Sequence, residues 1–271
     1  MATQDTGKPN KVALWCVPRT LSSVFCKSIA EIADSQVIFE YFVAAFHSGP
    51  ENTILHPNTP KGMIPEPNFS NKWVKEQMEA ETPGIKLYFV KDMAYAVGGD
   101  FTRLPDGYQH TFLMRHPARV FKSHELTIRS TGIAKMTTFL PKGYAYKELF
   151  ELYEYVTKEL KQEAVVLDAD DLKANPKAMM QRYCKATDIP FQDSMLSWQP
   201  ETPNPSGWKA PLTCWIGNQM FGIYKAALES SEFKAGEPAP ISMEELSEDV
   251  KDCIEFSMPY YEKLREVCMK P

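Results

Sequence analysis

Largely apolar runs of strand length recur along the chain: KVALWCV (residues 11–17), SQVIFEYF (35–42), IKLYFV (85–90), HTFLMR (110–115) and AVVLDA (164–169). A strand with one wet face alternates apolar and polar residues, so runs this continuous predict strands covered on both faces. Between them, apolar positions recur at helical spacing over residues 22–33, 71–80, 117–130, 147–162 and 176–187. Several of these segments open on Asn, Ser or a first-turn Pro, which favours helix initiation. The alternation of strand and helix predicts an α/β fold, with a central, mainly parallel sheet flanked by helices.

Two stretches depart from this pattern. Residues 47–70 are rich in Pro, Asn and Gly, and residues 199–217 carry Pro200, Pro203, Pro205 and Pro211; both read as functional loops or lids. Residues 242–270 form a helical C-terminal extension in which Pro259 is expected to break or kink the helix. One domain over residues 1–271, with a loose N-terminus at residues 1–10, accounts for the whole pattern.

Composition narrows the partners. Thirty Lys and Arg against 35 Asp and Glu leave a net charge of −5, which argues against a nucleic-acid or other polyanionic partner and for a small neutral or cationic molecule. The polar start MATQDTGKPNK lacks the apolar core of a secretory leader, and no run reaches the ~18 apolar residues of a membrane span, so a cytoplasmic protein without membrane association is expected. A homodimer is compatible with this reading. The six cysteines, Cys16, Cys26, Cys184, Cys214, Cys253 and Cys268, are widely spaced with no Cys-x-x-Cys pair, which suits buried reduced thiols rather than a zinc site.

The chemistry concentrates after the first strand, where Pro18-Arg19-Thr20-Leu21-Ser22-Ser23 leads into a helix. A helix N-terminus presents unpaired N–H groups to an anion; Arg19 adds a cation, while Thr20, Ser22 and Ser23 add hydroxyls for phosphate oxygens or for capping. The Walker glycines and Lys-Ser/Thr are absent, so a metal-free phosphate donor fits better than ATP. A second motif, FLMRHPARVFKSHEL, places Arg115 at a strand end and Ser123 eight residues later in a helix, with Arg119 and Lys122 adding positive potential.

Together these motifs resemble the sulfotransferases that use PAPS (3′-phosphoadenosine 5′-phosphosulfate), and the resemblance spans residues 11–209. It implies a P-loop nucleotide-hydrolase-like sulfotransferase fold and in-line transfer of a sulfuryl group to a hydroxyl or amine of a small molecule, without metal, leaving PAP (the 3′,5′-bisphosphate). By that resemblance Arg19, Thr20, Leu21, Ser22, Ser23 and Val24 take the 5′-phosphosulfate side of the donor, and Arg115 and Ser123 clasp its 3′-phosphate. The segment VVLDADDLKANPK resembles the family's acidic turn and following helix and reads as scaffold. Gly207-Trp208-Lys209 resembles the family's Gly-x-Trp-Lys stretch, making Lys209 a candidate for the charge otherwise supplied by a C-terminal Arg-Lys-Gly, which has no equivalent here.

The family's usual catalytic histidine, two residues after a strand-end lysine, is replaced by Met93 in Lys91-Asp92-Met93. This version resembles small bacterial, fungal and algal-type members in which a glutamate from another strand is the base, making Glu40 the candidate, His47 the next, and Lys91 an aid to the sulfuryl oxygens. His110, His116 and His124 read as packing or phosphate-contact groups. Val24 and Ala169 stand where the family has aromatic adenine contacts, so the grip on adenine is open. Aromatic residues within 139–155 and 69–73 are candidates for an acceptor pocket or for ordinary core. Two alternatives remain beside the enzyme: a nucleotide-binding module without catalysis, and a P-loop kinase.

Overall fold

The computed structural model describes residues 7–51, 65–130, 145–201, 205, 207–236 and 240–271. Strand β1 (Asn10–Cys16) leads through a short loop into α1 (Ser22–Ala30), and β2 (Ser35–Phe39) into α2 (Tyr41–Ser48). Helix α3 (Asn71–Glu79) precedes β3 (Leu87–Met93); β4 (Gln109–Met114) feeds α4 (Pro117–Ser130). Then follow α5 (Tyr146–Lys158), β5 (Val165–Asp168), α6 (Ala169–Ala174) and α7 (Pro176–Ala186). The chain continues through α8 (Leu212–Phe221), α9 (Lys225–Leu228) and α10 (Glu248–Glu266).

The strands form one parallel sheet in the order β2-β3-β1-β4-β5, with Cys16 opposite Met93 and Leu113, and Phe39 opposite Lys91. Alternate residues of β1 enter different cores: Val12, Leu14 and Cys16 pack with α1 and α7, whereas Ala13 and Trp15, with Val17 just beyond the strand, pack with α2, α5 and α10. Both faces are therefore dry, which is why the run shows no alternation. All strands point the same way, so residues 17–21, Glu40, Lys91 to Met93 and Arg115 gather at one edge of the sheet, outside the strand carboxyl ends where open α/β sheets bind ligands.

Several expectations are corrected. The strand read over residues 35–42 stops at Phe39, and Tyr41 begins α2, because the buried Asp92 carboxylate on β3 accepts the N–H groups of Phe42 and Val43 and so seeds a helix there. The proline-rich stretch 199–217 is not all loop: Pro211 precedes α8, and Gly222 at φ 63 closes it. Pro259 does not break α10; beyond it, Arg265 grips Asp171 and Tyr261 donates to Asp168, tying down the part of the helix that follows the lost backbone bond. All six cysteines are buried as thiols. Residues 52–64 of the first proline-rich stretch lie outside the described residues.

Candidate functional site

The turn after β1 holds two non-glycine residues in the left-handed region, Arg19 at φ 63 and Leu21 at φ 65, on either side of Thr20. Such residues cost on the order of 1–3 kcal/mol each and persist where surrounding structure demands them. A backbone that alternates handedness turns successive N–H groups toward one concavity, the geometry of an anion nest. Thr20 is buried and donates its hydroxyl to the Val17 carbonyl at 2.9 Å, closing the turn. Leu21, not a serine or threonine, is the N-cap of α1, and no side chain caps that helix; the capping expected of Ser22 and Ser23 is absent. The first-turn amides of α1 thus lack a side-chain acceptor, while Leu21 and Val24 pack against the core beneath.

The second motif comes to this turn from across the sheet. Arg19 Nε donates to Ser123 Oγ at 3.1 Å, 104 residues away, and Arg115 NH1 reaches the Arg19 carbonyl at 3.5 Å. Burial lowers the Arg19 pKa, and the Arg115 cation presses it the same way, against an opposing contribution from Tyr224. Asp170, in the first turn of α6, takes Arg115 Nε on Oδ1 at 2.9 Å and Arg119 Nε on Oδ2 at 3.0 Å, so the acidic turn read as scaffold reaches the arginines of the second motif directly. His124, the next residue after Ser123, is pushed down to about 4 by burial and by Arg19, and its Nε2 is buried without a hydrogen-bond partner.

The second centre surrounds Glu40, 2% exposed and itself left-handed at φ 56. Its backbone N–H bonds to the Lys91 carbonyl at 2.8 Å, Oε1 receives the Lys91 ammonium, and Oε2 receives the Tyr224 hydroxyl and, at 3.8 Å, the Cys214 thiol. Burial works against the Lys91 charge, but Cys16 and pairing with Glu40 together outweigh it and hold the ammonium above the ordinary lysine range. Lys91 Nζ also lies 4.7 Å from the Phe39 ring centre, a cation–π contact. His47 sits two turns along α2 with Nε2 at 3.1 Å from the Tyr95 hydroxyl, and burial lowers it to about 4 despite Glu40, leaving a neutral imidazole. His110 accepts from Trp15 Nε1 at 3.0 Å, and His116 stacks edge-on against Tyr261.

One turn joins the centres. Arg19 NH1 donates to the Ile223 carbonyl at 3.1 Å, and the next residue, Tyr224, caps Glu40. Tyr224, Cys214 and Asp170 were not singled out by the sequence: Tyr224 is 184 positions from Glu40, and no fixed spacing announces such a contact. Lys209 lies elsewhere. Its backbone pairs with Val37 and Phe39 at the β2 edge, with β2, β3 and β1 between it and β4, its side chain is exposed, and Trp208 beside it packs on Phe39 at 5.1 Å. Phe69 and Trp73 pack with Tyr41 at 5.1 and 5.7 Å as core; residues 139–144 of the other aromatic candidate stretch lie outside the described residues.

A family model described as a sulfotransferase domain matches residues 10–267. Two curated Arabidopsis thaliana proteins are similar in sequence. Branched-chain-amino-acid aminotransferase-like protein 1 is 26% identical over 275 residues, 95% of this chain and 42% of its own length. Branched-chain-amino-acid aminotransferase-like protein 2 is 24% identical over 257 residues, 93% and 40%. The chain thus spans about two fifths of the length of the curated relatives it matches. Among solved structures, a sulfotransferase from Alicyclobacillus acidocaldarius aligns at TM-score 0.48 and 11% identity over 82% of this chain and 94% of that one. The sulfotransferase domain from the curacin biosynthetic pathway aligns at TM-score 0.44 and 12% identity, over 97% and 99%.

Proposed function

The chain belongs to the sulfotransferase domain family, and from that premise we propose that it moves a sulfuryl group from PAPS to a hydroxyl or amine of a small, neutral or cationic acceptor, releasing PAP. The observation that carries the reading is the bond from Arg19 Nε to Ser123 Oγ with Arg115 against the Arg19 carbonyl. Two phosphate motifs far apart in sequence meet at one strand edge, as a donor with two separate phosphate groups requires. The donor chemistry fits these residues: a left-handed amide nest with Arg19 suits the 5′ side, and a guanidinium beside a hydroxyl suits the 3′-phosphate.

PAPS supplies the activated sulfuryl group when bound. Arg19 and the amides of residues 19–23 stabilise the charge that develops on the departing 5′-phosphate. Lys91 fixes Glu40 Oε1 and balances its charge, leaving Oε2 as the atom that takes the acceptor proton. For that, the acceptor must replace the Tyr224 hydroxyl on Oε2, so the turn at Ile223 and Tyr224 has to move away from Arg19 and Glu40 together.

That occupied carboxylate, with Met93 in place of the family's histidine, is also what favours a second reading, a donor-binding module without turnover. Titration calorimetry with PAP, ATP and ADP tests donor choice: preference for PAP supports the proposal, and equal or weaker binding than ATP overturns it. A product assay with labelled PAPS over a panel of phenols, alcohols and amines then separates an enzyme from a module.

A further inference from the structure

Among the described residues, the two motifs assign only Arg115 and Ser123 to the donor's second phosphate. No Arg-Lys-Gly follows the second motif, and Lys209 sits at the β2 edge, beyond β3 and β1 from the end of β4. Yet α4 carries a further cation in register. Arg119 and Ser123, four apart on α4, lie on the same face of that helix, and Arg115 stands two residues before its start.

We propose that Arg119 is a donor-binding residue and that Asp170 positions it beside Arg115 as a two-guanidinium clamp for the 3′-phosphate; this rests on PAPS being the donor. One carboxylate holds both arginines, Oδ1 at 2.9 Å from Arg115 Nε and Oδ2 at 3.0 Å from Arg119 Nε, with 16–20% of the three side chains exposed. That exposure lies between a sealed structural pair and a solvated surface pair, and it leaves the cluster reachable from the sheet edge.

The contrast with Arg265 separates a clamp from a strut. Arg265 meets Asp171 with both terminal nitrogens, the bidentate grip that spends a guanidinium fork on one carboxylate. Arg115 instead meets Asp170 through Nε, and its NH1 points to the carbonyl of Arg19 in the phosphate turn. The charges also match. Arg19, Arg115 and Arg119 against Asp170 sum to a double positive charge among these four side chains, and a phosphate monoester carries between −1.5 and −2 at about neutral pH. The other charged groups packed here are committed elsewhere: Asp168 to Tyr261, Asp171 to Arg265, and Lys122 to Glu245 at 3.5 Å. His116 adds no cation, since burial and Arg119 both lower its pKa.

The test is calorimetry with PAP and with AMP, which lacks the 3′-phosphate, on the full chain and on Arg119→Gln, Arg119→Lys and Asp170→Asn. Arg119→Gln is expected to weaken PAP binding roughly 10- to 100-fold, the range for one charged hydrogen-bond partner, and to leave AMP binding unchanged. Arg119→Lys restores part of the loss, and Asp170→Asn narrows the preference for PAP over AMP. A purely structural ion pair would move PAP and AMP binding together, or neither, and either result overturns the proposal. If the unmodified chain itself fails to prefer PAP over AMP, the donor reading falls instead.

Discussion

Asp92 offers the sharpest test of how this site is held. Its carboxylate has no solvent exposure and accepts three backbone N–H groups, from Phe42 at 2.6 Å, Val43 at 3.2 Å and Met93 at 2.9 Å. Those amides favour the charged form, but burial outweighs them and raises the group from 3.8 to about 7. The folded chain therefore keeps this proton up to about pH 7, whereas the unfolded chain releases it near 3.8. Between those values the folded state binds more protons, so its stability falls as pH rises; the contribution is complete below about pH 4 and gone above about pH 7. At about 1.4 kcal/mol per pH unit, roughly two units of that span lie above pH 5, so about 3 kcal/mol is lost by pH 8. Asp92→Asn keeps an acceptor oxygen but has no proton to release. Urea unfolding of both proteins at pH 5 and pH 8, at one ionic strength, should show the stability difference shifting by about 3 kcal/mol in the variant's favour at the higher pH. A difference that stays constant, or that moves toward the native chain, would refute the reasoning and make the three amides, rather than burial, the dominant influence.

Glu40→Gln should bind PAP as the native chain does while losing turnover by about 100-fold or more in the labelled-PAPS assay; wild-type turnover would remove Glu40 as the base and turn attention to His47. Tyr224→Phe clears a donor from Glu40 Oε2, so it should cost about 1 kcal/mol in urea unfolding and lower the acceptor KM; an unchanged KM would mean that the tyrosine does not compete with acceptor. Pro259 is exposed within α10, and Pro259→Ala restores a backbone donor there, so the urea midpoint should rise by the equivalent of at least about 1 kcal/mol; a fall would show that the ring is needed where it stands.

The strands were legible because each carries its own evidence: an apolar run too short for a helix and too continuous for a half-wet strand. The two motifs behind the proposed donor site stood out for a similar reason, since Pro18 to Ser23 and the Arg115 to Ser123 spacing each lie within one strand-to-helix connection. What misled was local. Glu40-Tyr41-Phe42 looks like more strand, and only the carboxylate of Asp92, fifty positions on from Phe42, turns it into the start of α2. Pro211 looks like more loop, although proline before a first helical turn is as compatible with a helix start.

By itself, then, the amino-acid order determined the alternation of buried strands and helices and marked the two strand-to-helix motifs proposed for phosphate, because both depend on residues near one another along the chain. Tertiary structure alone decided which atoms those groups face: Ser123 on Arg19, Asp170 across Arg115 and Arg119, and Lys91, Tyr224 and Cys214 around Glu40. Parallel strands return through crossovers that leave no spacing signature, and a buried charge is satisfied by whatever the packed sheet edge brings to it.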